Sequence, residues 1–149
     1  KYNFATERSK YLSDLGIPLN TDSTLKGQTV FLAERCAELM NNDIITDRTV
    51  IDVMAFTMNA KSIGHYDKEI FESYAKEFIR EYDYIFYISP HGIPMEDNGV
   101  RETDEHYRDI IDFTITTLIK KYGHMANKIE KISGSTDERV EQILKFTNL

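Results

Sequence analysis

The chain has 149 residues, with 25 Asp and Glu against 18 Lys and Arg, for a formal net charge of −7. That length suits one domain with a real core, and Leu, Ile, Val and Phe make up about a quarter of it, above the level of a disordered chain. The acidic balance argues against a general nucleic-acid coat or a polybasic membrane binder, although a phosphate pocket needs only a few well-placed Arg and Lys side chains. Cys36 is the one cysteine, which excludes an internal disulfide and a cysteine-based zinc cage and points to a reducing, cytoplasmic setting. No apolar run approaches the length of a membrane-spanning helix.

In chain order, residues 1–4 (KYNF) fit the end of a strand, and residues 6–15 read as a helix closed by Gly16 and Pro18. Residues 20–22 can cap a second helix with apolar positions at Val30, Leu32, Ala33, Cys36, Ala37, Leu39 and Met40. Residues 43–48 (DIITDR) are a short apolar run ending in a charged pair, which reads as a buried strand with polar groups at its carboxyl end. Residues 49–59 read as a helix with Val50, Val53, Met54 and Thr57 on one face. Residues 67–81 form the clearest amphipathic pattern, with Ile70, Phe71, Tyr74 and Phe78 spaced as one stripe.

Residues 84–88 (YIFYI) are continuously apolar, as expected of a strand buried on both faces. A polar loop, 89–103 (SPHGIPMEDNGVRET), follows. Residues 104–122 are a long helix with Ile110, Ile111, Ile115, Leu118 and Ile119 inward, ended by Gly123. Residues 127–132 are a last strand, Ser133-Gly134-Ser135 a turn, and residues 136–146 a final helix. Short apolar strands alternating with long helices define an α/β chain with a largely parallel sheet flanked by helices, organised as a single domain over 1–149. In such sheets ligands sit beyond the carboxyl ends of the strands, where Asp47-Arg48, the loop from Ser89 and Ser133-Gly134 all fall.

The order of these features resembles the P-loop kinase-like AAA-domain family of the nicotinamide riboside kinase type, which is similar to thymidylate and deoxynucleoside kinases. The residues that carry the resemblance are the strand ending in Asp47-Arg48, the Tyr82–Ile88 run, and Glu96-Asp97-Asn98-Gly99-Val100-Arg101. The helix start Asp104-Glu105-His106-Tyr107-Arg108 and the strand end Ile132-Ser133-Gly134 complete it. It implies a three-layer P-loop NTPase-like fold, with residues 89–103 as a lid-like loop. One departure stands out. The family opens with a strand, a G-x-x-x-x-G-K-[ST] phosphate loop and a helix, and no Gly-Lys-Ser/Thr occurs among the 7 glycines here. The family's loop lies upstream of where this sequence starts, so the expectation is that the strand, the loop and the first helix precede Lys1, the alternative being a domain that has lost its nucleotide cradle.

The resemblance implies a role for each candidate. Asp47 would hold Mg²⁺ directly or through water in a Walker-B-like position, and Arg48 would reach an acceptor phosphate or hydroxyl as a charge-assisted donor. The plainer alternative is a strand-end Asp capping the next helix. Glu7 would act as base toward the acceptor hydroxyl, the alternative being an ordinary acidic residue in a helix first turn. Arg8 would serve a substrate phosphate or carboxylate. Arg101 would come from the lid to the charge that develops in transfer, and Arg108 would bind nucleotide or pair along its own helix with Asp104 or Asp112. Ser133 and Gly134 would contact the nucleotide base through backbone, or form a plain strand-to-helix turn.

The function implied is ATP- or GTP-dependent phosphoryl transfer, with Mg²⁺, to a nucleoside, nucleotide or related small molecule. The alternatives are a nucleotide-binding adaptor or switch that transfers nothing, and a protein-interaction module. No membrane partner and no general nucleic-acid partner is expected.

Overall fold

The computed structural model describes residues 1–95 and 104–149. Six α-helices lie among them: α1 (Ser9–Asp14), α2 (Leu25–Glu38), α3 (Val50–Met58), α4 (His65–Ala75), α5 (Glu105–Tyr122) and α6 (Thr136–Thr147). The strands are β1 (Asn3–Ala5), β2 (Ile44–Thr46), β3 (Tyr84–Ile88) and β4 (Lys128–Ile132). The chain is therefore a mixed α/β protein, and both of its strand pairs are parallel.

Helix α3 is the hub. It starts sharply because Thr49 and Asp52 form a capping box: the Thr49 hydroxyl accepts from Ile51 N–H while the Asp52 carboxylate accepts from Thr49 N–H at 2.7 Å. The Tyr82 hydroxyl takes a further orphan donor, Val50 N–H, at 3.2 Å, and burial pushes that phenol well above the usual tyrosine range. Val50, Ile51, Val53, Met54, Ala55 and Thr57 are all buried, so α3 is enclosed nearly all round rather than along one stripe. Around it pack Leu32 of α2, Phe71 and Ala75 of α4, Ile85 of β3, and Ile111 and Leu118 of α5. Each such side chain contributes roughly 1.5–3 kcal/mol when fully buried, which makes this shell the main source of stability.

The sheet differs from the single layer expected. β1 pairs with β2 in the register Phe4↔Ile45, and β3 pairs with β4 in the register Ile85↔Ile129, as two separate two-stranded sheets. The strand run 84–88 is not buried on both faces: Ile85 is buried, but Tyr84 and Ile88 are exposed. Ile45 of β2 is exposed as well.

The helices carry corrections of the same kind. The first begins at Ser9, not residue 6, and α2 is capped by Thr24, after a short 3-10 turn at Asn20–Asp22. The inner face of α2 is Gly27, Gln28, Leu32 and Arg35, whereas Ala33, Ala37 and Met40 are exposed. On α4 the buried side chains are Phe71 and Ala75; Ile70 and Tyr74 face solvent, and the segment Lys76–Glu81 tightens to 3-10 geometry. The last helix starts at Thr136, as expected, but its cap is Ser135 with Glu138 and not Thr136.

Between α4 and α5, Glu72 accepts from Lys121 Nζ at 2.9 Å and from the Tyr122 hydroxyl at 2.7 Å. Burial alone would raise the Glu72 carboxyl, but those two bonds, with the charges of Lys121 and Lys76, hold it below the ordinary carboxylate range. A lowered folded value gives stability that is present above the unfolded carboxylate range and lost as pH falls through the folded one. Glu72→Gln is therefore expected to lower the unfolding midpoint at pH 7, and the gap to the native chain should close between pH 5 and pH 3. Thermal unfolding at pH 7, 5 and 3 measures this; a gap independent of pH would contradict it.

Candidate functional site

A cavity of about 390 Å³ opens at the carboxyl ends of β1, β2 and β3. Its walls come from Glu7 and Ser9 beyond β1, Gln28, Phe31 and Arg35 on α2, and the corner between β2 and α3. Ile88 and the following segment through Met95, and Tyr107, Arg108 and Ile111 on α5, complete it. Phe31, Val53, Phe56, Ile93 and Pro94 give it a largely apolar body, with polar groups placed singly, as in small-molecule sites. Arg48 and Arg108 line it with Glu7 and Asp52, and Arg35, also on the wall, is paired with Glu38.

Glu7 is fixed by its neighbour. Its Oε1 accepts from Ser9 N–H at 2.6 Å and from the Ser9 hydroxyl, and lies 4.0 Å from Arg48 Nη1. Arg48 follows β2 with φ at 81°, a left-handed backbone that costs a non-glycine residue roughly 1–2 kcal/mol. Its guanidinium carbon stands 5.3 Å from the centre of the Phe56 ring, an attraction between cation and ring face. Arg108 reaches across from α5: Nη1 donates to the Ile93 carbonyl at 3.1 Å, and its buried Nε has no hydrogen-bond partner among the described residues.

Two further residues complete the wall, and neither stood out in the sequence. Gln28 is 2% exposed. Its amide nitrogen donates to the Val53 carbonyl at 3.3 Å and to Thr57 Oγ1 at 3.1 Å, while the Thr57 hydroxyl donates to Val53 O at 2.8 Å. That network fixes the orientation of the amide at the cavity wall. Arg35 is 4% exposed; it donates to the Asp47 carbonyl at 2.9 Å and pairs with Glu38 at 2.7 Å. Burial raises the Glu38 carboxyl, and Arg35 offsets part of that rise. The signal available in the sequence was the spacing Gln28, Leu32, Arg35, one helix stripe (i, i+4, i+7).

Of the residues singled out from the sequence, Glu7, Arg48 and Arg108 are brought together. Asp47 is not: its side chain is exposed and outside the cavity wall, while its backbone N–H donates to Ala5 O at 2.9 Å. The helix cap at this corner is Thr49 rather than Asp47. Arg8 turns away to pair with Glu34 at 3.3 Å and to lie over the Tyr11 ring. Ser133 and Gly134 line a separate, shallow hollow with Glu138, Glu141, Gln142 and Lys145, and the Gln142 amide occupies both backbone groups of Ser133. Arg101 and the loop beyond Met95 up to residue 103 lie outside the described residues.

Among the described residues no group of three or more His, Cys, Asp and Glu side chains is placed to hold a metal ion. The two carboxylates at the cavity are already committed, Glu7 to Ser9 and Arg48 and Asp52 to the helix cap, so the residues here do not fit a Mg²⁺ site. Nor does the sequence hold a glycine-rich phosphate cradle for ATP. The set fits a small ligand with an apolar body and an anionic or hydroxyl group. No helix among the described residues is long and apolar enough to cross a membrane.

The fold and site thus define a mixed α/β protein with an arginine-lined cavity at its strand ends. No family model, curated protein or solved structure matches the chain.

The left-handed backbone at Arg48 inverts the usual order of two substitutions. Both Arg48→Gly and Arg48→Ala remove the guanidinium, but Gly adopts positive φ freely and Ala does not. We expect the Gly variant to be more stable than the Ala variant by about 1 kcal/mol, the reverse of an ordinary position. Urea unfolding of the pair decides; Ala equal to or above Gly would mean the backbone at residue 48 is not held left-handed.

Proposed function

We propose that the cavity is the acceptor site of an ATP- or GTP-dependent phosphotransferase acting on a nucleoside, nucleotide or related small molecule. One observation carries this reading. Glu7 and Arg48, chosen from the sequence for opposite roles on one acceptor, stand 4.0 Å apart at the carboxyl edge of a parallel strand pair, in one cavity with Arg108. Parallel α/β sheets bind ligands at that edge. In this reading Glu7, oriented by Ser9, takes the proton of the acceptor hydroxyl, and Arg48 and Arg108 hold anionic oxygens. Phosphoryl transfer asks mostly for positioning and charge stabilisation, which arginines at a partly enclosed cavity supply.

The same reading takes the two parallel pairs as halves of one three-layer P-loop sheet. A further parallel strand between β2 and β3, followed by a phosphate-binding loop, would join them and meet the acceptor cavity from the donor side. Two-stranded sheets are marginal alone, and larger parallel sheets are the rule in such folds, which supports this reading. Mg²⁺ and the nucleotide triphosphate would be bound there, supplying the phosphoryl group and neutralising its charge. A cytoplasmic setting belongs to this reading. The outward-facing Asp47 carboxylate favours one second reading, a nucleotide-binding switch that transfers nothing.

The test is transfer of radiolabelled γ-phosphate by the full-length protein to a panel of nucleosides and nucleoside monophosphates, with and without EDTA. A native turnover that EDTA abolishes, and that falls at least about 100-fold in Glu7→Gln and Arg48→Met with triphosphate binding retained, is expected. Equal turnover in both variants would remove the site assignment. Binding without transfer would select the switch, and neither would leave an interaction module.

A further inference from the structure

Arg48 is held in its left-handed conformation by groups bonded to the backbone on both sides of it. On its amino side, Asp47 is locked at both backbone groups: its N–H donates to Ala5 O at 2.9 Å, and its carbonyl accepts from Arg35 Nη1 at 2.9 Å. At residue 48 itself, the carbonyl accepts from the Thr46 hydroxyl at 2.9 Å. On its carboxyl side, Thr49 is locked into the capping box with Asp52. A left-handed non-glycine residue persists only where its surroundings over-determine it, and residue 48 is gripped from both directions.

We propose that Arg35 and Thr46 are positioning residues that clamp the peptide groups on either side of Arg48 and so deliver its guanidinium into the cavity beside Glu7. This rests on the reading of the cavity as an acceptor site. Arg35 suits the task by its chemistry. Its planar fork takes a carbonyl with one nitrogen and the Glu38 carboxylate with another, so the carbonyl is aimed and not merely neutralised. A buried ion pair is a poor device for stability alone, since apolar side chains of the same volume serve as well or better, whereas it fixes direction. Thr46 ends β2 with a branched side chain suited to a strand and turns its hydroxyl forward two residues onto Arg48. With the backbone fixed, the guanidinium resting at 5.3 Å over Phe56 has little orientational freedom left to lose when a ligand arrives.

The experiment compares Thr46→Val, Thr46→Ser and Arg35→Lys in the full-length protein. The first readout is the Arg48 side-chain Nε–Hε resonance, which the Phe56 ring facing the guanidinium is expected to displace in the native protein. Thr46→Val and Arg35→Lys should move it toward the position of a free arginine, and Thr46→Ser should restore it, with the fold intact by circular dichroism. The second is transfer, where kcat/KM should fall roughly 10- to 100-fold in Thr46→Val and recover in Thr46→Ser. An Arg48 resonance unchanged in Thr46→Val overturns the clamp, whatever the activity; should Arg35→Lys fail to fold, the Thr46 pair decides alone. If the native protein transfers nothing, the function fails while the resonance still judges the clamp.

Discussion

A guanidinium that is 4% exposed donates to the carbonyl of Asp47, and the geometry of the cavity follows from that contact. It ties α2 to the end of β2, so the wall carrying Gln28 and Phe31 and the corner carrying Arg48 cannot move apart. The same corner starts α3, whose first turn is closed by Thr49, Asp52 and the Tyr82 hydroxyl. Since α3 is the most enclosed element, the corner links the stability of the core to the placement of the site.

The site also explains where the molecule tolerates local disadvantage. A left-handed arginine, and a buried Nε on Arg108 with no hydrogen-bond partner among the described residues, each work against folding. Both border one cavity.

Much of the fold was legible because it rests on apolar patterning. The helices α2 to α6 and all four strands fall close to where periodicity and stop signals put them, and pairing is parallel in both sheets. What the pattern could not show is which polar side chains turn inward. On α2 the apolar positions include Leu32, which is buried, but also Ala33, Ala37 and Met40, which are exposed, while packing turns the polar Gln28 and Arg35 inward, because internal hydrogen bonds satisfy that pair. The charged pair at 47–48 looked like one functional unit. A left-handed φ at Arg48, invisible in a non-glycine residue, is associated with the split: Arg48 lines the cavity and Asp47 faces solvent. Continuity of the 84–88 run suggested full burial, but burial depends on neighbours that a single strand cannot report.

The account's central claim is that one cavity receives the acceptor. Titrating the full-length, isotope-labelled protein with a nucleoside monophosphate while following backbone amide and arginine side-chain resonances tests it most directly. Shifts that saturate together at Glu7, Ser9, Gln28, Arg48 and Arg108 are predicted. Saturating shifts confined to another surface, such as the hollow beside Ser133, or none across the nucleoside and nucleotide panel, would contradict it.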